Sequence, residues 1–266
     1  MPGRLRPVAL FTRFTLFAFA VLACGCLRLR PAAIPMVTRS LSEPGASPGR
    51  CLVVFLPGRR DSLGAYRTHE FPKMAREAGV SADYLEVDAH LAYYADETIS
   101  KRLRDDVIEP ARAKGADRIW IVGISMGGLG GILYAREHPD VAGVVALAPF
   151  LGDTEPGLVA KAGGLAGYTP GARRQVADYE RELWGWLKEF TAAGAEHPPV
   201  YLGWGESDDL APADKLLGDA LPRGRVFTVR GKHDWRTWTD LWREFLRAGA
   251  LQRSCGGAQA VPGRKP

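Results

Sequence analysis

The sequence predicts an α/β protein: a mostly parallel β-sheet covered by helices on both faces, with a small helical cap inserted. Three observations lead there. From residue 51 onward, short apolar runs alternate with stretches of helical period, the rhythm of a sheet buried on both sides. That rhythm breaks once, over residues 151–198, a span too long for a simple connection. The chain has 266 residues, 46% of them hydrophobic and 24% charged, which suits one well-filled soluble domain.

The first fifty residues read as address and tether. Arg4, Arg6 and Arg13 precede the apolar run from Phe14 to Ala23, a positive segment and a short hydrophobic one in the order of a secretory signal over residues 1–23. A spanning helix needs about 20 apolar residues, and Arg13 and Arg28 bracket fewer. Val21-Leu22-Ala23-Cys24 resembles the end of a bacterial lipoprotein signal, which implies cleavage before Cys24 and its lipidation. Cys26 is a second candidate, with Ala23 a poorer fit than Val21 three residues before it. The implied location is the bacterial cell envelope, anchored to membrane and facing the periplasm or exterior. Gly25 in place of Asp leans towards outer-membrane sorting. A signal cleaved without lipidation, giving a soluble secreted protein, is the alternative. Residues 24–50, rich in Pro, Gly, Ser and Arg, read as a flexible tether.

Charge follows the same division. The net charge is +5, yet the first fifty residues carry seven arginines against Glu43, which leaves residues 51–266 at −1. The domain is near neutral and has no basic stripe interleaved with aromatics, so nucleic acid is set aside as a partner. None of the four cysteines has metal-ligand spacing. Cys51 and Cys255 flank the domain and read either as a disulfide or as two thiols.

Within residues 51–250 the strands are expected at Leu52–Leu56, Tyr84–Val87, Ile119–Val122, Val141–Leu147, Val200–Leu202 and Val226–Val229. Helical patterns fall between them near 69–78, 97–114, 126–137, 212–220 and 234–248. A helical cap is expected within 151–198, and residues 251–266 read as a tail. Parallel strands place their C-terminal ends along one edge, where α/β proteins build sites.

On that edge lies Gly123-Ile124-Ser125-Met126-Gly127, a G-x-S-x-G between a strand and a helix. A serine projecting from the sheet edge needs a strained turn, and side chains at Gly123 or Gly127 would collide with it. The helix behind it offers its positive end and the Met126 backbone N–H to a developing negative charge. Ser125 is therefore the candidate nucleophile, and a hydroxyl needs a base within reach. Of the later histidines, His138 ends the helix that Ser125 begins, and His197 precedes a strand; both belong to the opposite edge. His233 follows the last predicted strand and is the candidate base. Asp208, in the turn after Val200–Leu202, is the candidate carboxylate to orient it. Asp209 is the fallback, and Glu206 reads as a turn residue.

Gly123-Ile-Ser-Met-Gly127, Gly205-Glu-Ser-Asp208 and Gly231-Lys-His-Asp-Trp235, in that order, resemble the α/β-hydrolase superfamily on its esterase and lipase side, over roughly residues 50–248. The resemblance implies the α/β-hydrolase fold, a Ser125-His233-Asp208 triad, and acyl transfer through an acyl-enzyme with no metal or organic cofactor. It implies a small-molecule ester as substrate and carboxylesterase as the activity. The family's oxyanion loop usually reads His-Gly after the first core strand; here it reads Leu56-Pro57-Gly58-Arg59, with Pro57 in place of the histidine. By resemblance the oxyanion hole falls to the backbone N–H groups of Arg59 and Met126. Thioesterase, lipase or peptidase activity would use the same triad, and a catalytically inactive lipid-anchored binding protein would keep the fold alone. Trp184, Trp186, Leu187 and Phe190 in the cap either roof an apolar acyl pocket or pack as core. Trp235, Trp238 and Trp242 read as packing against the sheet. Arg59 and Arg60 read either as a bias towards anionic substrates or as two exposed loop arginines, and Tyr93 and Tyr94 are equally open. Oligomeric state leaves no mark in the sequence.

Overall fold

The computed structural model describes residues 30–42, 50–172, 179–192, 194 and 197–256. The signal segment 1–23, with Cys24 and Cys26, lies outside them. The strands are β1 (Thr38–Ser40), β2 (Cys51–Leu56), β3 (Asp83–Val87), β4 (Arg118–Ile124), β5 (Gly143–Leu147), β6 (Val200–Gly205) and β7 (Val226–Val229). They form one sheet in the order β1-β3-β2-β4-β5-β6-β7. Only β1 runs antiparallel to its neighbour; the pairs from β3 to β7 are parallel.

The helices, in chain order, are α1 (Ala65–Thr68), α2 (Phe71–Glu77), α3 (Leu91–Ala95) and α4 (Ile99–Leu103). A π-helical turn, Arg104–Ile108, carries α4 into α5 (Glu109–Ala113). Then come α6 (Met126–Glu137), α7 (Glu155–Lys161), α8 (Tyr179–Phe190), α9 (Ala211–Gly218), α10 (Trp235–Arg247) and α11 (Ala250–Cys255). Among the described residues, none is long and apolar enough to cross a membrane.

Strand alternation divides the interior in two. Leu52, Val54 and Leu56 of β2 enter a core filled by Leu103, Ile132, Leu183 and Trp184. Val53 and Phe55, between them, enter a second core with Tyr66, Phe71, Trp242 and Phe245 on the other face. Both faces of β2 are therefore covered, which is why its sequence is continuously apolar rather than alternating.

Two readings need correction, and a third, left open, is decided. The proposed tether contains β1, and its flanks are tied down: Met36 and Leu41 are buried, and the Tyr93 hydroxyl donates to the Ala33 carbonyl at 2.9 Å. The compact unit begins at Ala32. All three β1 residues are exposed, so no apolar alternation marks the strand. The tail likewise begins as a packed helix, α11, with Leu251 buried and Ser254 Oγ accepting from Trp120 Nε1 at 3.0 Å. In the cap, Trp184 and Leu187 belong to the first core, and Trp184 Nε1 donates to the Leu151 carbonyl at 2.8 Å. Trp186 packs at a tilt against Phe190 and lies edge-on to His197.

Cys51 and Cys255 form a disulfide across a sequence separation of 204 residues, joining the first residue of β2 to the last of α11 with a Cα–Cα distance of 5.4 Å. Closing so long a loop removes much of the unfolded chain's freedom, and such a bond contributes about 2–4 kcal/mol. Cys51→Ala/Cys255→Ala, or reduction by dithiothreitol, should lower the thermal midpoint by roughly 5–15 °C. A midpoint unmoved in either experiment would show that α11 is held by packing alone.

Candidate active site

The sharpest backbone feature at the C-terminal rim is Ser125, at φ 54° and ψ −116° between β4 and α6. A non-glycine residue held there costs about 1–3 kcal/mol and persists only where its surroundings over-determine it. They do so here. The Ser125 N–H donates to the Leu147 carbonyl at 2.9 Å, and the Ser125 carbonyl accepts from Phe150 N–H at 3.1 Å and Leu129 N–H at 3.2 Å. The neighbouring glycines are required by contact: a Cβ on Gly123 would overlap the Gly127 carbonyl, and one on Gly127 would overlap the Leu56 carbonyl. The expected turn is thus present at the expected residue.

Asp208 and His233 follow the next strands along the same rim. β6 ends at Gly205, β7 at Val229, and the loops beyond them are stitched together by Glu206 N–H to the Val229 carbonyl and Ser207 N–H to the Gly231 carbonyl, both 2.9 Å. Asp208 is buried, and both its oxygens are used: Oδ1 accepts from Leu210 N–H at 2.8 Å, and Oδ2 lies 2.8 Å from His233 Nδ1. Asp209 and Glu206 are exposed, and of the three acids of this turn Asp208 is the one in contact with His233. His233 keeps one flank to solvent, while Trp238 packs edge-on against its ring with centroids 5.0 Å apart. Asp234, next to it, caps α10 by accepting from Thr237 N–H at 2.9 Å, which holds its carboxyl below the usual range. No Ser125–His233 hydrogen bond is formed among the described residues; in substrate-free sites that contact is commonly long and tightens when substrate binds. His138 packs at a tilt against Tyr134 and His197 against Phe190, both away from this rim.

The loop after β2 abuts the serine turn, since a Cβ added at Gly58 would stand 3.7 Å from Ser125 Cβ. The N–H groups of Arg59 and Met126 have no acceptor among the described residues, and Met126, as first residue of α6, has no intrahelical one. Sequence reasoning missed what holds this loop. Asp61 Oδ2 accepts from Gly58 N–H at 3.2 Å, and its Oδ1 accepts from Trp235 Nε1 at 3.0 Å. One carboxylate therefore ties the loop beside Ser125 to the segment that carries His233. Asp61 sits among the loop residues after β2 with nothing local to single it out, and its tryptophan partner is 174 residues away. Among the described residues, no group of three or more His, Cys, Asp or Glu side chains could hold a metal ion.

No family model and no curated protein matches this sequence. Solved structures share its architecture. A ferulic acid esterase superposes with a TM-score of 0.57 at 15% identity, over 83% of this chain and 98% of that one. The S-formylglutathione hydrolase of Staphylococcus aureus gives 0.53 at 15% identity, over 84% and 98%. The monoacylglycerol lipase of Paleococcus ferrophilus gives 0.51 at 18%, over 81% and 99%. What this chain has in common with them is the α/β-hydrolase fold.

One further acid lies beneath the rim. Asp214 of α9 is fully buried, and neither of its carboxylate oxygens has a partner among the described residues. Burial, and then the charge of Asp208, push its carboxyl well above the ordinary range. A raised value means that its stabilising share is complete below the unfolded-chain value near 4 and is lost as pH climbs towards the folded one. Asp214→Asn should therefore raise the thermal midpoint at pH 8 by about 2–4 °C or more, with the gain shrinking as pH approaches 4. Thermal melts of both proteins from pH 4 to 9 read this directly, and parallel curves would refute it.

Proposed function

We propose that this α/β-hydrolase-fold chain is a serine hydrolase that cleaves carboxylic esters through an acyl-enzyme, with Ser125, His233 and Asp208 as its triad. The observation that carries the reading is the 2.8 Å contact between His233 Nδ1 and a buried, fully hydrogen-bonded Asp208, on the same rim as the strained Ser125. A carboxylate in that position keeps the proton on Nδ1 and leaves Nε2 to act as base. In the proposed reaction Ser125 Oγ attacks the ester carbonyl carbon while His233 takes its proton. The carbonyl oxygen, now negative, is received by the N–H groups of Arg59 and Met126. Collapse expels the alcohol, which takes the proton back from His233. Water, activated by the same imidazole, then releases the acid and restores Ser125.

The compartment belongs to the same proposal. The segment 1–23 and Cys24 have the order of a lipoprotein signal, and the Cys51–Cys255 disulfide suits an oxidising environment such as the periplasm or cell exterior. The proposed partner on that side is the membrane, through a lipid on Cys24. Cys24→Ser should move the protein from the membrane fraction to the soluble one in a bacterial host; retention in the membrane would remove Cys24 from this role.

A fluorophosphonate probe should label the intact protein, and mass spectrometry should find the adduct on Ser125. Ser125→Ala should lose labelling and at least about a thousandfold in kcat on 4-nitrophenyl esters, with His233→Gln similarly impaired. Asp208→Asn should cost on the order of ten-thousandfold while leaving the thermal midpoint close to wild type. An unlabelled but folded protein would end the hydrolase reading.

A further inference from the structure

Beside the loop after β2 is a cleft of about 410 Å³ whose lining includes Arg39, Arg60 and Arg67, with His69, Asp61 and Trp235. We infer that it binds an anionic group, carboxylate or phosphate, carried by the substrate. The inference rests on the proposed hydrolase for what happens to that substrate, but not for the binding itself.

The charge balance of the cleft comes first. No carboxylate pairs with Arg39, Arg60 or Arg67 among the described residues. Some arginines elsewhere have acid partners, as in Arg112–Asp140 and Arg243–Asp240, while exposed Arg223 and Arg230 have none among the described residues. What sets the cleft apart is that three such arginines share one lining. Asp61 is the one acid in the lining, and both its oxygens are taken by Gly58 N–H and Trp235 Nε1. Glu86, buried on β3, is spent on the backbone N–H groups of Gly64 and Tyr66. Three guanidinium groups therefore face one cleft with a single, already engaged carboxylate among them.

Two of those arginines are braced. Arg39 Nη1 donates to the Leu63 carbonyl at 3.2 Å, and Arg67 Nη2 to the Ser40 carbonyl at 3.5 Å, so strand β1 holds a side chain of α1 and has one of its own held by the loop before that helix. Gly64, at φ 107°, makes room for this: a Cβ there would stand 2.7 Å from Arg39 Nη1. A guanidinium has five N–H donors in a planar fork suited to carboxylate and phosphate, and each brace uses only one of them. His69 and Trp235 stack at 4.1 Å with planes 5° apart, giving the cleft a flat aromatic wall.

Position connects the cleft to the chemistry. Asp61 is bonded to Gly58, which abuts Ser125, and Trp235 lies two residues beyond His233. An anionic group held by the arginines would thus belong to a molecule whose ester lies at the serine.

The test has two arms. In the first, isothermal titration measures adipate and inorganic phosphate binding to Ser125→Ala, alone and combined with Arg39→Gln/Arg60→Gln/Arg67→Gln. Binding should weaken about tenfold with the arginine changes and fall as salt rises from 0.02 to 0.5 M, as screening requires (both figures order-of-magnitude settings for exposed charges). Arg60→Gln alone provides a variant that removes no structural hydrogen bond and should show part of the effect. In the second arm, 4-nitrophenyl half-esters of dicarboxylic acids are compared with their methyl-capped counterparts. Wild type should favour the free carboxylate by about tenfold in kcat/KM, and the triple variant should erase that ratio. A ratio near one in wild type, or one unchanged in the triple variant, overturns the inference while leaving the hydrolase intact. Arginine-dependent anion binding with no turnover of any ester would instead uphold the cleft and overturn the hydrolase.

Discussion

The turn at Ser125 holds a serine where L-residues are rarely found, and the rest of the rim is arranged around that constraint. The conformation costs energy that a loop could not supply alone. It is met by three backbone hydrogen bonds and by the fit of Gly123 and Gly127 against neighbouring carbonyls. That fit brings the loop after β2 against the turn, because Gly127 has no side chain to keep the Leu56 carbonyl away. The closeness of nucleophile and oxyanion candidates is thus a by-product of the same glycines that allow the strain.

Carboxylates do the remaining positioning, and each does it by being fully used. Asp208 serves Leu210 N–H and His233; Asp61 serves Gly58 N–H and Trp235; Glu86 serves Gly64 and Tyr66 N–H. A buried or half-buried carboxylate is tolerable when its oxygens are hydrogen-bonded. Together these three fix the loops after β2, β6 and β7 relative to one another. Asp214 is the exception, buried beneath Asp208 without a partner, and it keeps its proton to a higher pH for that reason.

The arginines show a related division. On exposed helices they pair with acids a turn away, as Arg243 does with Asp240 and Arg247 with Glu244, contacts worth little individually in water. At the cleft beside Asp61, Arg39 and Arg67 meet backbone carbonyls instead, which orients each guanidinium without neutralising it. Near-neutrality of the domain as a whole therefore coexists with a locally positive face.

The fold class and the positions of the core strands along the chain were legible because β2, β5 and all of β4 after Arg118 are buried and must be apolar. The positions of Ser125, Asp208 and His233 were legible because strand ends and turn glycines mark the rim, whatever the distance between them. β1 and α11 were not: β1 is an exposed edge held by backbone pairing, and α11 is held by partners far away in sequence, including Cys51. The role of Asp61 and the contact of Trp238 with His233 were equally invisible, since each depends on a partner brought near only by folding, and nothing local marked Asp214 for burial without one. Local pattern and turn chemistry are written in the chain itself. Which distant groups meet, and so which charges are spent or left free, is set by packing.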